Sequence, residues 1–197
     1  ITKLLKKGKN RLAVKVFRYS DGSYLEGQDY WKYSGIERSV YLYARPQSRV
    51  KDFHITADLI HKYKDGNLNL DIMLHQPQIG EKVEVKVLDK GQCIWVNEKN
   101  ITSPNDTLFK TQHLFPNILP WNAETPNTYL LVINTFDKQG NALESFTHPF
   151  GFRSVEMRNG MQLINGKAVL FKGVNRHEHN PHTGRTITVA SMIKDIE

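Results

Sequence analysis

The densest group of side chains able to do chemistry in this chain is Arg176-His177-Glu178-His179, with His182 three residues further on. Imidazoles and a carboxylate this close raise the question of metal ligation. The helical zinc pattern requires His-Glu, two residues and a second His, but four positions after His177 stands Pro181, which a helix interior rejects. A neutral imidazole such as that of His177 donates through one ring nitrogen and accepts through the other, which leaves its role open at this point. Glu178 and His179 are then expected to orient the loop, and Arg176 to pair with a carboxylate elsewhere in a larger protein. A second candidate is Asp29, which follows the polar stretch Ser20-Asp21-Gly22-Ser23 and Gly27. From the residues alone Asp29 is read first as the cap of a turn in this polar loop, although a carboxylate there also accepts hydrogen bonds and offers hard oxygen to a hard cation. Trp31, Trp95 and Trp121 offer flat faces for stacking, against the tendency of large aromatics to fill a β-sheet core.

These residues need elements to position them. Leu12, Val14 and Val16 alternate with polar neighbours, as one face of a strand requires, and Ser39 to Tyr43 resume a strand-like run that Pro46 ends. From residue 49 to 150 short alternating bursts follow: Phe53/Ile55/Ala57/Leu59, Leu68/Leu70/Ile72/Leu74, Val83/Val85/Val87, Ile94/Val96, Leu108 onward, Tyr129/Leu131/Ile133 and Leu143/Phe146. Turn residues separate them at Lys64-Asp65-Gly66, Pro77 to Gly80, Asp89-Lys90-Gly91 and Lys138 to Asn141. Seven short strands in roughly 100 residues predict an immunoglobulin-like sandwich, in which two sheets bury each other's apolar faces. Beyond Gly151 the steps Asn159-Gly160 and Asn165-Gly166 predict tight hairpins, since each can supply positive φ at both turn positions. Val169 to Val174 reads as a strand covered on both sides, and Val189, Met192, Ile193 and Ile196 recur at helical spacing behind the N-cap candidate Thr188. Strand, loop, then helix is how a (β/α) barrel begins.

The composition, 39% hydrophobic and 24% charged over 197 residues, is that of a globular chain. With no initiator Met at Ile1 and a helical pattern still running at Glu197, the sequence reads as a fragment. The formal charge of +7 is spread out, its densest run being the four lysines between Lys3 and Lys9, so no nucleic-acid partner is expected. Cys93 is the sole cysteine, which excludes an internal disulfide and a thiolate metal cluster. No apolar run approaches the ~20 residues of a membrane span, and no membrane partner is expected. The sequons at Asn100 and Asn105 are too common by chance to carry weight.

Several blocks together resemble the large bacterial β-galactosidases of glycoside hydrolase family 2. They are Asn10-Arg11-Leu12-Ala13-Val14, Ser20 to Glu26, Gln28-Asp29, Ser34-Gly35-Ile36 with Arg38, Leu119-Pro120-Trp121 with Glu124, Pro126 and Tyr129, Gly151-Phe152-Arg153, Asn165-Gly166-Lys167, and Gly173 to His179. The blocks follow the family order across essentially the whole chain. The resemblance implies a mainly β fold: residues 1–48 as the tail of a jelly-roll sugar-binding domain, 49–150 as an immunoglobulin-like β-sandwich, and 151–197 as the start of a TIM barrel. It implies that Asp29 helps hold galactose hydroxyls and a sodium ion and that His177 contacts a galactose hydroxyl. Retaining glycoside hydrolysis needs an acid and a nucleophilic carboxylate about 5–5.5 Å apart. The resemblance places both glutamates, and the magnesium ligands, beyond Glu197, so the chain alone is expected to be inactive. The intact enzyme is expected to act on β-galactosides such as lactose, to need sodium and magnesium, to form a homo-oligomer, and to reside in a bacterial cytoplasm or periplasm. The alternative from a different class is a stand-alone carbohydrate-binding or adhesion module of immunoglobulin type, with the tryptophans as its site.

Overall fold

The computed structural model describes residues 1–26, 34–36 and 38–197. It divides into two compact units, Ala44–Gly173 and a second made of Ile1–Tyr43 with Val174–Glu197.

The first unit is built on seven antiparallel strands: β1 (Arg49–Ile60), β2 (Asp65–His75), β3 (Lys82–Asp89), β4 (Gln92–Asn100), β5 (Leu108–Phe115), β6 (Tyr129–Phe136) and β7 (Ala142–Phe150). They form two sheets, ordered β1-β2-β5 and β4-β3-β6-β7, the two-layer sandwich that the spacing of apolar bursts predicts. The period-two pattern decides what is buried. Leu68, Leu70 and Ile72 on β2 meet Val83, Val85 and Val87 on β3 and Leu131 and Ile133 on β6, all almost fully enclosed. Each such aliphatic side chain stabilises the fold by roughly 1.5–3 kcal/mol.

On β4 the phase differs from the apolar pattern. Ile94 and Val96 are exposed at 40% and 50%, whereas Trp95 packs against the core. The strand lies at a sheet edge, where the largest apolar area goes inward: Trp95 stacks on His113 with centroids 5.1 Å apart and meets Phe115 edge-on. The first turn also sits earlier than its residues predict, at His61 to Lys64, with Asp65 and Gly66 already in β2. His61, Lys62 and Tyr63 all take positive φ there.

A three-stranded sheet of β8 (Val155–Arg158), β9 (Met161–Ile164) and β10 (Lys167–Ala168) completes this unit. Both hairpin turns are the expected Asn-Gly steps, with φ of 52° and 74° at Asn159-Gly160 and 51° and 74° at Asn165-Gly166.

In the second unit the segments 12–17 and 39–43, expected as strands, are irregular, and Leu12, Val14 and Val16 are exposed. Residues 169–174, where the chain leaves the first unit, likewise form no strand, and Leu170 and Phe171 are exposed. An alternating or apolar run becomes a strand only when a neighbour accepts its backbone hydrogen bonds, and among the described residues these runs form no ladder of such bonds, Val169 N alone donating to Gln162 O at 3.0 Å. The helix is where its spacing puts it, as α1 (Val189–Ile196), with Thr188 Oγ1 accepting from Ser191 N at 3.2 Å.

Candidate functional site

Asp29 and Trp31 lie outside the described residues. His177 is exposed, on an irregular segment leading to α1. Two local devices shape this segment. Arg176 Nε donates to Asp195 Oδ2 at 2.7 Å, and Arg176 Nη2 donates to the same oxygen, tying the segment to the helix. The carboxylate expected elsewhere in a larger protein is therefore supplied by α1 itself. On the other side, Asn180 Oδ1 accepts from His182 N at 2.9 Å, and the Asn180 and Gly184 backbones exchange bonds at 2.8 and 2.9 Å. His177, Glu178 and His179 thus sit on a short backbone stretch held at both ends, with His179 N donating to His177 O at 3.0 Å. No group of three His, Cys, Asp or Glu among the described residues could hold a metal ion, so the His177 to His182 cluster forms no ligand set.

The blocks of residues that stand out in the second half of the sequence converge in the other unit, on a clasp at one end of the sandwich. Tyr129, at the start of β6, accepts at its hydroxyl from Leu119 N at 3.1 Å and donates to Leu119 O at 3.3 Å, the tyrosine corner of immunoglobulin-like sandwiches. Burial raises the Tyr129 pKa above that of a free phenol, so the hydroxyl keeps its proton. Asn127 Nδ2 donates to Pro120 O at 3.0 Å, Trp121 N to Phe152 O at 2.8 Å, and Asn165 Nδ2 to Trp121 O at 3.0 Å. Ser154 N donates to Asn165 Oδ1 at 3.0 Å. The Phe152 ring is fully buried among Phe115, Tyr129 and Phe150, with centroids 5.4–5.5 Å away. Gly151 is required by space, since a Cβ there would lie 2.7 Å from Trp121 Cβ. Arg153 lies over the indole face of Trp121, 4.9 Å from the ring centroid.

A cleft of about 680 Å³ opens beside this clasp, lined by β1 from Ile55 to Asp58, β7 from His148 to Phe150, and Trp121 and Arg153. It is the gap between the edge strands of the two sheets, closed at one end where Arg153 N donates to Ala57 O at 3.1 Å. Arg153 lies over one face of Trp121 and His113 over one face of Trp95, so each indole is already stacked within the fold.

Other conspicuous carboxylates have structural work. Asp106 is held below the usual carboxylate range by the backbone N–H groups of Thr102 and Ser103, and Asp65 by the N–H of Asn117 and then His61. Glu144, only 8% exposed, accepts from Arg45 Nε at 2.8 Å, Arg45 Nη2 at 3.1 Å and Val50 N at 3.1 Å, locking β7 to the start of β1. Glu156 accepts from the Tyr63 hydroxyl and from Arg158, fastening the small sheet to the β1–β2 turn. Sequence reasoning missed both of these last groupings, in which Arg45 and Glu144 are 99 residues apart in the chain and Tyr63 and Glu156 are 93 apart.

Comparison with known proteins agrees with this architecture. Residues 1–46 match the description "Glycosyl hydrolases family 2, sugar binding domain", residues 48–153 match "Glycosyl hydrolases family 2", and residues 155–197 match "Glycosyl hydrolases family 2, TIM barrel domain". A beta-galactosidase of Vibrio vulnificus strain YJ016 is 43% identical over all of this chain, which covers 20% of that protein. One of Clostridium acetobutylicum is 41% identical, again over the whole chain and 22% of its own length. The chain thus spans about a fifth of these curated relatives. Among solved structures, the apo beta-glucuronidase 3 of Bacteroides uniformis superposes with a TM-score of 0.73 at 23% identity, over 86% of this chain and 21% of that one, a likeness of fold. The match over the sandwich alone takes in more than half of the sequence, and the chain belongs to glycosyl hydrolase family 2.

Proposed function

We propose that this chain is part of a retaining β-galactosidase that removes terminal β-D-galactose from substrates such as lactose. The observation that supports the reading most directly is identity of about 40% along the whole chain to proteins named beta-galactosidase. In this reading the sandwich is scaffold, Asp29 and His177 help hold the galactose hydroxyls, and the acid and nucleophile come from the remainder of the longer protein. Sodium bound with the help of Asp29, and magnesium bound outside this chain, belong to the same proposal, as does assembly of the whole protein into a homo-oligomer. An immunoglobulin-type binding module is the weaker reading, because the relatives are enzymes by name and each described indole already has a partner stacked on one face.

The test is turnover of a nitrophenyl β-galactoside. The full-length protein is expected to hydrolyse it with retention at the anomeric carbon, and the 197-residue chain alone not at all. In the full-length protein Asp29→Ala and His177→Ala are each expected to lower kcat/KM about 10- to 100-fold, the loss of one or two hydroxyl hydrogen bonds to a charged or imidazole group. Unchanged kcat/KM in both variants would remove the two residues from the subsite, and turnover by the isolated chain would overturn the assignment of the acids.

A further inference from the structure

The two Asn-Gly turns of the small sheet share backbone geometry and differ in everything around them. Asn159 and Gly160 are both exposed, and the Asn159 side chain makes no hydrogen bond among the described residues. Nothing lies within 4 Å of where a Cβ on Gly160 would be. Asn165, by contrast, is clamped at both ends of its amide, Nδ2 donating to Trp121 O and Oδ1 accepting from Ser154 N, each at 3.0 Å. Gly166 is roofed by a ring, since a Cβ there would lie 2.8 Å from Tyr63 Cζ.

We infer that Asn159 is a site of spontaneous covalent modification, deamidation to aspartate and isoaspartate, and that Asn165 is protected from it by the fold. The reaction needs no enzyme and only water as co-reactant. The backbone nitrogen of Gly160 attacks Asn159 Cγ, the new N–Cγ bond forms as the Cγ–Nδ2 bond breaks, and ammonia leaves with the proton that Gly160 nitrogen gives up. Water then opens the cyclic imide at either carbonyl. One opening gives an ordinary aspartate at position 159, and the other gives isoaspartate with the chain rerouted through Cγ.

Attack requires the side-chain amide to swing over the next peptide nitrogen, with that nitrogen uncovered. A glycine at the next position allows this because it carries no side chain to block the approach. Asn159 meets both conditions on the surface of a hairpin tip. Asn165 must first release two hydrogen bonds, each holding it back by a factor of about five, so that the pair slows it roughly 25-fold, and it must also displace the Tyr63 ring. In its consequence the modification is local but not silent. A new carboxylate appears one residue from Arg158, and isoaspartate adds a backbone atom inside a turn whose flanking residues, Arg158 and Met161, are directly paired.

The experiment ages the full 197-residue chain at mildly alkaline pH. Samples are digested under acidic conditions, and amide, aspartate and isoaspartate forms of the peptides holding positions 159 and 165 are quantified by mass spectrometry over time. Conversion at Asn159 is expected to run at least about tenfold faster than at Asn165 while the chain is folded. In concentrated denaturant the two rates are expected to converge, because the flanking clamps are gone. Equal rates in the folded chain, or a faster Asn165, would overturn the inference. So would a rate ratio that persists unchanged in denaturant, since it would then belong to local sequence and not to the fold.

Discussion

Gly66 is the second residue of β2 and has no positive φ, so its lack of a side chain answers to space: a Cβ there would come within 2.7 Å of two ring carbons of Phe152. Phe152 is fully enclosed and touches three other aromatic rings, so Phe152→Ala opens a cavity in the centre of the clasp. A fully buried Phe replaced by Ala costs about 3–5 kcal/mol. For a domain of this size each kcal/mol moves Tm by about 3–6 °C, which gives a fall of roughly 9–30 °C. Gly66→Ala alone forces the ring to move in a packed core and costs about 1–3 kcal/mol. The decisive measurement is the double variant. With Phe152 already truncated, the methyl added at position 66 enters empty space and also removes some freedom from the unfolded chain, so Gly66→Ala becomes neutral or mildly stabilising there. Urea denaturation of the four proteins yields the coupling directly, expected at about 1–3 kcal/mol. A cost for Gly66→Ala that is the same in both backgrounds would refute the steric account of this glycine.

Arg45→Met leaves the nearly buried Glu144 with Val50 N alone among the partners named above, and a loss of about 1–3 kcal/mol is expected by urea denaturation. Burial lowers the His113 pKa below its ordinary value, so the folded state binds its proton later than the unfolded state as pH falls. Its contribution is therefore fully present above about pH 6.5, the unfolded value, and is lost as pH drops through the folded pKa; His113→Phe should flatten the midpoint of denaturation across that interval. Tyr63→Phe removes the hydroxyl that joins the β1–β2 turn to Glu156, and faster amide hydrogen exchange is expected across β8 and β9 with little change in β3 and β6.

The sandwich was legible because burial writes period two into a chain: the Leu68 to Leu74 and Val83 to Val87 series are read correctly from alternation alone. The phase of β4 was not, since Ile94, Trp95 and Val96 are all apolar and only the presence of His113 and Phe115 opposite decides which one turns inward. The Asn-Gly turns and the Thr188 cap were legible because both are set within four residues. The strands expected at 12–17, 39–43 and 169–174 show the limit of such reading. Their side-chain pattern is that of a strand, but pairing is a property of two segments, and a pattern names only one. For the site, His177 and Arg176 stood out by residue type, whereas the Asn180 turn and the Arg176 to Asp195 pair appear only in the structure, the latter depending on where α1 comes to lie.

The clasp bears on how much function a motif can signal. Leu119-Pro120-Trp121, Tyr129, Gly151-Phe152-Arg153 and Asn165-Gly166 are among the most recognisable residues of this sequence, and in the structure they are occupied with one another. Tyr129 closes on Leu119, Asn165 on Trp121 and Ser154, Phe152 on Trp121 and Gly66, and Arg153 on the Trp121 ring. A side chain whose polar atoms are already satisfied inside the fold has little left to offer a ligand, because binding would first have to break a bond the fold depends on. Accessibility separates the two ends of the chain in the same way. Asn165 is conspicuous and structural, while His177 is conspicuous and exposed, on a backbone stretch anchored through Arg176 to Asp195 on one side and through Asn180 on the other. Fixed flanks with an accessible centre are what a recognition residue requires, and the proposal for His177 draws on that physical difference as well as on membership of a motif.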